Sequence, residues 1–103
     1  MKKLQKLVEN PDEVILSLEE VAKHNKAEDC WTVWKGKVFD ITSYVKKHPG
    51  GKKILAGAGK DCTKLYNKFH PYVNALYLIG NLQVGVLRKE DQIKKYGDTL
   101  TVD

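Results

Sequence analysis

The stretch HPGGKKILAGAG, residues 48–59, constrains the fold of this chain more than any other part of it. It contains one proline and four glycines, and both residue types interrupt helices. The helical pattern that runs from Lys52 to Ile79 is divided by two of these glycines and again by Pro71. We therefore expect three short helices here and no long one. A histidine, His48, opens the tight turn, which raises the question of what its side chain faces.

Short β-prone runs surround this half of the chain. The runs from Trp31 to Trp34 and from Lys37 to Ile41 are separated by Lys35-Gly36, a dipeptide that favours a hairpin turn. Val14 to Leu16 is a candidate short strand, and Leu82 to Leu87 alternates as a closing strand would. Strands mixed with short helices predict an α+β fold with a small mixed sheet.

Two helix starts can be predicted from local sequence. Ser17 is a candidate N-cap, and Glu20, three residues later, completes the capping box of a short helix that extends to about His24. Either Thr42 or Ser43 is expected to cap a second short helix, which ends at the Pro-Gly turn.

The length of 103 residues predicts one domain with charged ends. We divide it into a charged N-terminal arm (1–13), a folded domain (14–88) and a polar, loose C-terminal tail (89–103). No uninterrupted apolar stretch approaches the ~20 residues that span a bilayer, and the first residues lack the apolar stretch of a secretory signal. Cys30 and Cys62 belong to no CxxC pattern, which indicates free thiols in a reducing compartment. We expect a soluble, cytoplasmic protein.

The net charge of +5 concerns the partners of the protein rather than its fold. The lysines are dispersed, and the chain has a single arginine, Arg88. Base readout and phosphate clamping usually recruit arginine, so we do not expect nucleic acid as a partner.

Common enzyme motifs are missing from the sequence. It has no HxxxH or CxxC pair for zinc and no GxxxxGK[ST] or GxGxxG phosphate loop. A cysteine nucleophile with a histidine base stays open, but nothing local supports it. We expect a protein that is not an enzyme.

His48 and His70 lie 22 positions apart, each at one end of a helical stretch. Two short helices between them would form a hairpin that turns both imidazoles towards one slot. A flat apolar ligand with two axial histidines, such as haem, would fit that slot. In the alternative interpretation the apolar residues are ordinary core and both histidines are surface or capping residues, and spacing alone leaves both possibilities open. The residues available to line the slot are Tyr44, Ile54, Leu55, Leu65, Tyr66, Phe69, Val73, Leu76 and Leu78.

Three segments resemble the cytochrome b5 haem-binding domain family. They are LEEVAKHNKAEDCWTVWKGKVFDITSYVKKHPGG (18–51), GAGKDCTKLYNKFH (57–70) and IGNLQVGVL (79–87). HPGG alone is a weak signal, whereas HPGG in this strand context with a second histidine after an A-G-x-D-x-T helix is a strong one. The segment DCTKLYNKFHPYVN (61–74) is most similar to b5 domains fused to b5-type reductases.

The resemblance implies a cytochrome b5-like α+β fold in which two helical hairpins form a haem pocket. It implies a noncovalent haem b that carries single electrons between Fe(III) and Fe(II), with His48 and His70 as the axial ligands of the iron. It also implies that His24 is structural and that Trp31 belongs to a second, smaller core. The other residues expected at the haem are Pro49, Gly50 and Gly51 in the turn, and Tyr44, Leu55 and Tyr66 packed on the ring.

Partners follow from the same resemblance. We expect a monomer whose electron donor is a flavin reductase and whose acceptor is unidentified. Lysines stand where many relatives carry acidic residues, which points to an acceptor with an acidic face. These lysines are Lys52, Lys53, Lys60, Lys64 and Lys68.

Two rival interpretations of the resemblance are a haem-binding domain cut from a larger fused oxidoreductase and a haem-binding regulatory module.

Overall fold

One five-stranded sheet organises the computed structural model, which describes residues 6–46, 51–69 and 79–96. The strand order is β1-β5-β4-β3-β2, with β1 parallel to β5 and all other neighbours antiparallel. The sheet is therefore mixed, and the predicted α+β class is confirmed. The strands are β1 (Ile15–Leu16), β2 (Asn25–Lys26), β3 (Asp29–Trp34), β4 (Lys37–Asp40) and β5 (Gln83–Leu87).

The hairpin between β3 and β4 forms where the sequence predicts it. Lys35 and Gly36 have φ angles of 48° and 80°, so both central residues of the turn are left-handed. This is the backbone of a type I′ turn, which matches the right-handed twist of the two strands it connects. It pairs Trp34 with Lys37 and fixes the register of the whole hairpin.

Short helices connect the strands. Ser17 caps α1 as predicted, because its Oγ accepts a hydrogen bond from the backbone N–H of Glu20 at 3.0 Å. The predicted cap of α2 is wrong, since Ile41 occupies the N-cap position and the Thr42 N–H donates to the Asp40 carboxylate at 3.1 Å. Within the described residues the helices are α1 (Leu18–Ala22), α2 (Thr42–Val45), α3 (Thr63–Phe69), α4 (Lys89–Tyr96) and three 3₁₀ helices, Pro11–Glu13, Gly51–Gly57 and Gly80–Leu82.

Of the three short helices predicted between Lys52 and Ile79, the first is the 3₁₀ helix Gly51–Gly57 and the second is α3. The third falls mainly on residues 70–78, outside the described residues.

Two hydrophobic cores lie on the sheet. The smaller core consists of Val21, Val33, Val38 and Leu87, and Trp31 packs against it as predicted. Successive residues of a strand point to opposite faces, so β3 contributes to both cores. The larger core consists of Cys30, Trp34, Phe39, Ile41, Val45, Ala58, Ile79 and Leu82.

The first part of the predicted loose tail (89–103) is helical instead. Residues 89–96 form α4, and its Asp91 is buried with 6% of its surface exposed. The Asp91 carboxylate accepts the backbone N–H of Leu18 at 2.7 Å and the Nε–H of Arg88 at 2.8 Å. It therefore ties α4 to the first turn of α1. The proposed division into arm, domain and tail remains a prediction.

Replacing Asp91 by alanine is expected to destabilise the domain by about 1–3 kcal/mol, because the Leu18 N–H and the Arg88 guanidinium would lose their shared acceptor. The urea midpoint of unfolding measures this change. Glu90→Ala is the matched control, since Glu90 is an exposed neighbour whose ion pair with Arg88 spans 3.8 Å. Such surface pairs contribute about 0–1 kcal/mol. Equal midpoints for the two variants would contradict a stabilising role of Asp91.

Candidate functional site

A half-buried apolar surface covers one side of the larger core. Tyr44 comes from α2, Ile54 and Leu55 from the 3₁₀ helix, and Tyr66 from α3. All four pack against the larger core while part of each side chain stays accessible. The structure thus brings Tyr44, Leu55 and Tyr66, three of the residues predicted at the cofactor, onto one core.

The remaining predicted site residues are placed only in part. Gly51 begins the 3₁₀ helix. His48, Pro49, Gly50 and His70 lie outside the described residues, as do three of the candidate lining residues, Val73, Leu76 and Leu78. The side chain of Phe69 is likewise not described, and Leu65 on α3 is 39% exposed.

Trp34 belongs to this surface although the sequence analysis did not assign it. Its ring meets Tyr66 edge-on, with ring centroids 5.7 Å apart and planes inclined by 67°. Its indole N–H is buried and has no hydrogen-bond partner among the described residues. Strand alternation gave the signal, because Trp31 and Trp34 are three positions apart and must point to opposite faces of β3. Since Trp31 packs on the smaller core, Trp34 belongs to the larger one.

These residues fit a flat, largely apolar cofactor such as haem. Two tyrosine rings, two aliphatic side chains and the edge of Trp34 form an apolar wall whose outer surface is incompletely covered. The unpaired indole N–H can be accommodated by an aromatic face, a weak acceptor for such donors. Among the described residues no group of three or more His, Cys, Asp and Glu side chains is arranged to hold a metal ion.

Backbone hydrogen bonds fasten the segment before α3 to β3. The Val33 N–H donates to the Lys60 carbonyl at 3.0 Å, and the Cys62 N–H donates to the Val33 carbonyl at 2.7 Å. The Gly59 N–H donates to the Trp31 carbonyl at 2.6 Å. Residues 59–62 therefore extend the sheet and set the position from which α3 presents Tyr66.

Both cysteines are free thiols, as predicted. Burial raises the pKa of Cys30 to about 11, and burial also raises the pKa of Cys62. Both thiols are protonated at neutral pH, whereas the thiolate is the nucleophilic form. This argues against the cysteine–histidine chemistry that the sequence left open.

His24 has a structural environment away from the apolar surface. Its ring stacks on Trp31 at a centroid distance of 3.7 Å, and its Nδ1 and Nε2 lie 2.7 Å and 3.2 Å from the carboxylates of Asp29 and Glu20. Partial burial lowers the pKa of His24, but the two carboxylates outweigh it and the pKa is raised overall. Both nitrogens are thus engaged within the protein, which agrees with leaving His24 out of the site.

No helix within the described residues is long and apolar enough to cross a membrane.

Comparisons of the sequence and of the structure with known proteins both find the same family. The model of the family described as cytochrome b5-like heme/steroid binding domain matches residues 17–88. The structure of the cytochrome b5 of Ostreococcus tauri virus 2 aligns with a TM-score of 0.64 and 46% sequence identity. The alignment covers 72% of this chain and 96% of that structure.

Two relatives are larger proteins. The acyl-lipid (8-3)-desaturase of Physcomitrium patens is 49% identical over 70 residues, which cover 64% of this chain and 15% of the desaturase. Cytochrome b5 reductase 4 of Xenopus tropicalis is 41% identical over 68 residues, 65% of this chain and 13% of the reductase. The chain therefore spans a small part of each of these two relatives.

Proposed function

This chain belongs to the cytochrome b5 family of haem-binding domains, and we propose that it carries single electrons with His48 and His70 as the two iron ligands. When bound, the haem supplies the one-electron Fe(III)/Fe(II) couple. The proposal rests chiefly on one observation, the convergence of Tyr44, Leu55 and Tyr66 on the larger core within the family-matched range. The cofactor is a noncovalent haem b.

Each part of the site has a distinct task in this proposal. Pro49, Gly50 and Gly51 would let the chain bring the imidazole of His48 to the iron, and His70, the residue that follows α3 in sequence, would supply the second ligand. With both imidazoles bound, the iron would have no free coordination site for oxygen or substrate. The apolar wall of Tyr44, Leu55 and Tyr66 excludes water from the ring. The proposed role of the chain is therefore that of an electron carrier rather than a catalyst.

A fused oxidoreductase is the second candidate context for this domain. The specific observation in its favour is that relatives include a desaturase and a reductase of which the chain matches only 15% and 13%. In that case the same haem site would pass electrons to an enzyme domain elsewhere in one polypeptide. The full-length coding sequence distinguishes the two, since a separate carrier is encoded without an adjoining catalytic domain.

As a separate carrier, the chain is proposed to act as a cytoplasmic monomer that accepts electrons from a flavin reductase. Size-exclusion chromatography with light scattering tests the monomeric state. Reduction of the haem-loaded chain by a purified b5-type reductase and NADH tests the donor.

The haem-loaded chain is expected to give the absorption spectrum of a six-coordinate, low-spin haem in both oxidation states. Two imidazole ligands produce a field that is strong enough to pair the iron d electrons. The spectra of the oxidised and dithionite-reduced protein, before and after addition of carbon monoxide, are the measurement. A high-spin ferric spectrum, or rapid carbon monoxide binding by the reduced protein, would contradict two stable histidine ligands.

A further inference from the structure

We propose that four exposed lysines, Lys35, Lys60, Lys64 and Lys68, form a docking surface for an acidic redox-partner protein; we call this surface the basic rim. All four side chains are exposed. The inference rests on the proposed electron-carrier function and adds to it the chemistry of the partner.

The basic rim is assembled from separate parts of the chain. Lys35 lies in the β3–β4 turn, and its backbone N–H donates to the Thr63 hydroxyl at the start of α3 at 2.9 Å. Its ammonium group lies 5.1 Å from the centre of the Trp34 ring. Lys60 is on the segment that is hydrogen-bonded to β3. The backbone positions of Lys35 and Lys60 are thus fixed by the fold, so a partner that binds there does not have to order the main chain.

The rim lies on the outer side of the helix whose inner side faces the proposed haem site. Lys64 and Lys68 are four residues apart and share one face of α3. Cys62 and Tyr66 pack on the larger core from the other side. A partner bound to the rim would therefore lie one helix away from the cofactor.

Several cationic groups elsewhere on the chain are held in ion pairs. Lys37 pairs with Asp12 at 3.3 Å, Lys23 with Glu20 at 3.8 Å, and Arg88 with Asp91 at 2.8 Å. Within the described part of the chain, no carboxylate pairs with the ammonium groups of Lys35, Lys60 or Lys64. Unpaired fixed charges attract an oppositely charged surface and raise the rate of encounter.

The composition of the rim favours a protein over other anionic partners. Leu65, 39% exposed, lies beside Lys64 on α3 and gives the rim an apolar element. An apolar centre with a polar, charged border is typical of protein interfaces. The single arginine of the chain is held by Asp91, so the rim lacks the planar fork that phosphate recognition favours. One leucine offers little apolar area for insertion into a lipid surface.

Stopped-flow electron transfer from the reduced, haem-loaded chain tests the rim. The acceptors are plastocyanin with an acidic surface patch and cytochrome c, which is basic. Transfer to plastocyanin should slow as salt rises, and Lys64→Glu should slow it about 3- to 10-fold at low ionic strength, within the range that steering supplies. Lys89→Glu is the matched control, because it makes the same charge change at an exposed lysine of α4, the helix that Asp91 ties to α1; its effect should stay below about twofold.

Several results would overturn the inference. Faster transfer to cytochrome c that slows with salt would indicate an acidic docking face, and equal effects of Lys64→Glu and Lys89→Glu would indicate net charge alone. Failure to form a low-spin haem would instead refute the proposed function. NMR shift changes in the haem-loaded chain on addition of redox-inactive cadmium plastocyanin should cluster at Lys35 and residues 60–68, independently of electron transfer. Shift changes elsewhere, or co-sedimentation with anionic phospholipid vesicles in place of plastocyanin binding, would refute the rim as a protein site.

Discussion

Replacing His48 or His70 by alanine is expected to accelerate haem loss by at least about 100-fold. Even mutation of groups that only hydrogen-bond to a metal ligand costs about 10- to 100-fold in metal affinity, and each of these substitutions would remove a ligand itself. The vacated axial position would also change the iron from low-spin to high-spin. Haem transfer to excess apomyoglobin, followed by absorbance, measures the rate of loss.

His24→Ala is the matched control for both substitutions. His24 is the third histidine of the chain, and its ring nitrogens face Glu20 and Asp29 rather than the apolar surface. Its removal should change the rate of haem loss by less than about twofold, because no coordinate bond depends on it. Added imidazole provides a further check: it should restore a low-spin spectrum to His48→Ala and His70→Ala only if a vacated ligand position is the cause. Equal rates for all three variants would refute the ligand assignment.

The stabilisation that haem binding gives against unfolding should be smaller in His48→Ala and His70→Ala than in His24→Ala. A ligand that binds only the folded state raises the free energy of unfolding by mass action. The two ligand variants should therefore unfold at lower temperature than the wild-type holoprotein, whereas His24→Ala should keep the difference between its haem-free and haem-loaded forms.

Features of the fold that depend on neighbouring residues could be predicted from the sequence. The β3–β4 hairpin needs only a turn dipeptide that accepts positive φ, and Lys35-Gly36 supplies it. The start of α1 needs only a hydroxyl three residues before a free N–H, and Ser17 supplies that. In both cases the determining contact lies within four residues, which is the range that local sequence patterns describe.

Features that depend on distant contacts could not be predicted in this way. The Thr42 hydroxyl was available as a cap only in isolation, because in the fold it accepts the Cys30 N–H at 3.0 Å. Likewise α4 is a polar segment that looks loose until Asp91 reaches the Leu18 N–H, 73 positions away. Tertiary partners of this kind decide which local option is used, and they leave no periodic signal in the sequence.

The residues of the candidate site also differ in how far the sequence could predict them. Resemblance to a family supplied Tyr44, Leu55 and Tyr66, and the structure places them on one core. Trp34 was not assigned from the sequence, although strand alternation could have placed it on the larger core once Trp31 was assigned to the smaller one. The assignment of His48 and His70 to the iron stays a prediction that the haem-loss measurement above addresses.

Gly59→Ala is expected to destabilise the haem-loaded domain by about 2–5 kcal/mol, the sum of backbone strain and overpacking. Gly59 has φ of +69°, a region that alanine enters at a cost of about 1–2 kcal/mol. A Cβ there would also lie 2.8 Å from the Cβ of Asn25 and 3.2 Å from the carbonyl oxygen of Ala22. Relief of these contacts would move the segment whose Gly59 N–H donates to the Trp31 carbonyl at 2.6 Å.

Gly36→Ala separates the two contributions to this loss. Gly36 also has positive φ, +80°, but its added Cβ would meet only the amide end of the Gln92 side chain, at 3.1 Å. That amide donates to the Leu87 carbonyl at 2.6 Å and would have to shift slightly. The variant should lose about 1–2 kcal/mol, chiefly from backbone strain. Each kcal/mol lowers the melting temperature of a domain of this size by roughly 4–8 °C, so circular dichroism can resolve the difference between the two. Gly59→Ala should in addition lose haem faster, because the displaced segment leads directly into α3 and its Tyr66. If both variants melt at the same temperature, the tight packing of Gly59 against Asn25 and Ala22 does not contribute to stability. The segment before α3 would then be held to β3 more loosely than its hydrogen bonds imply.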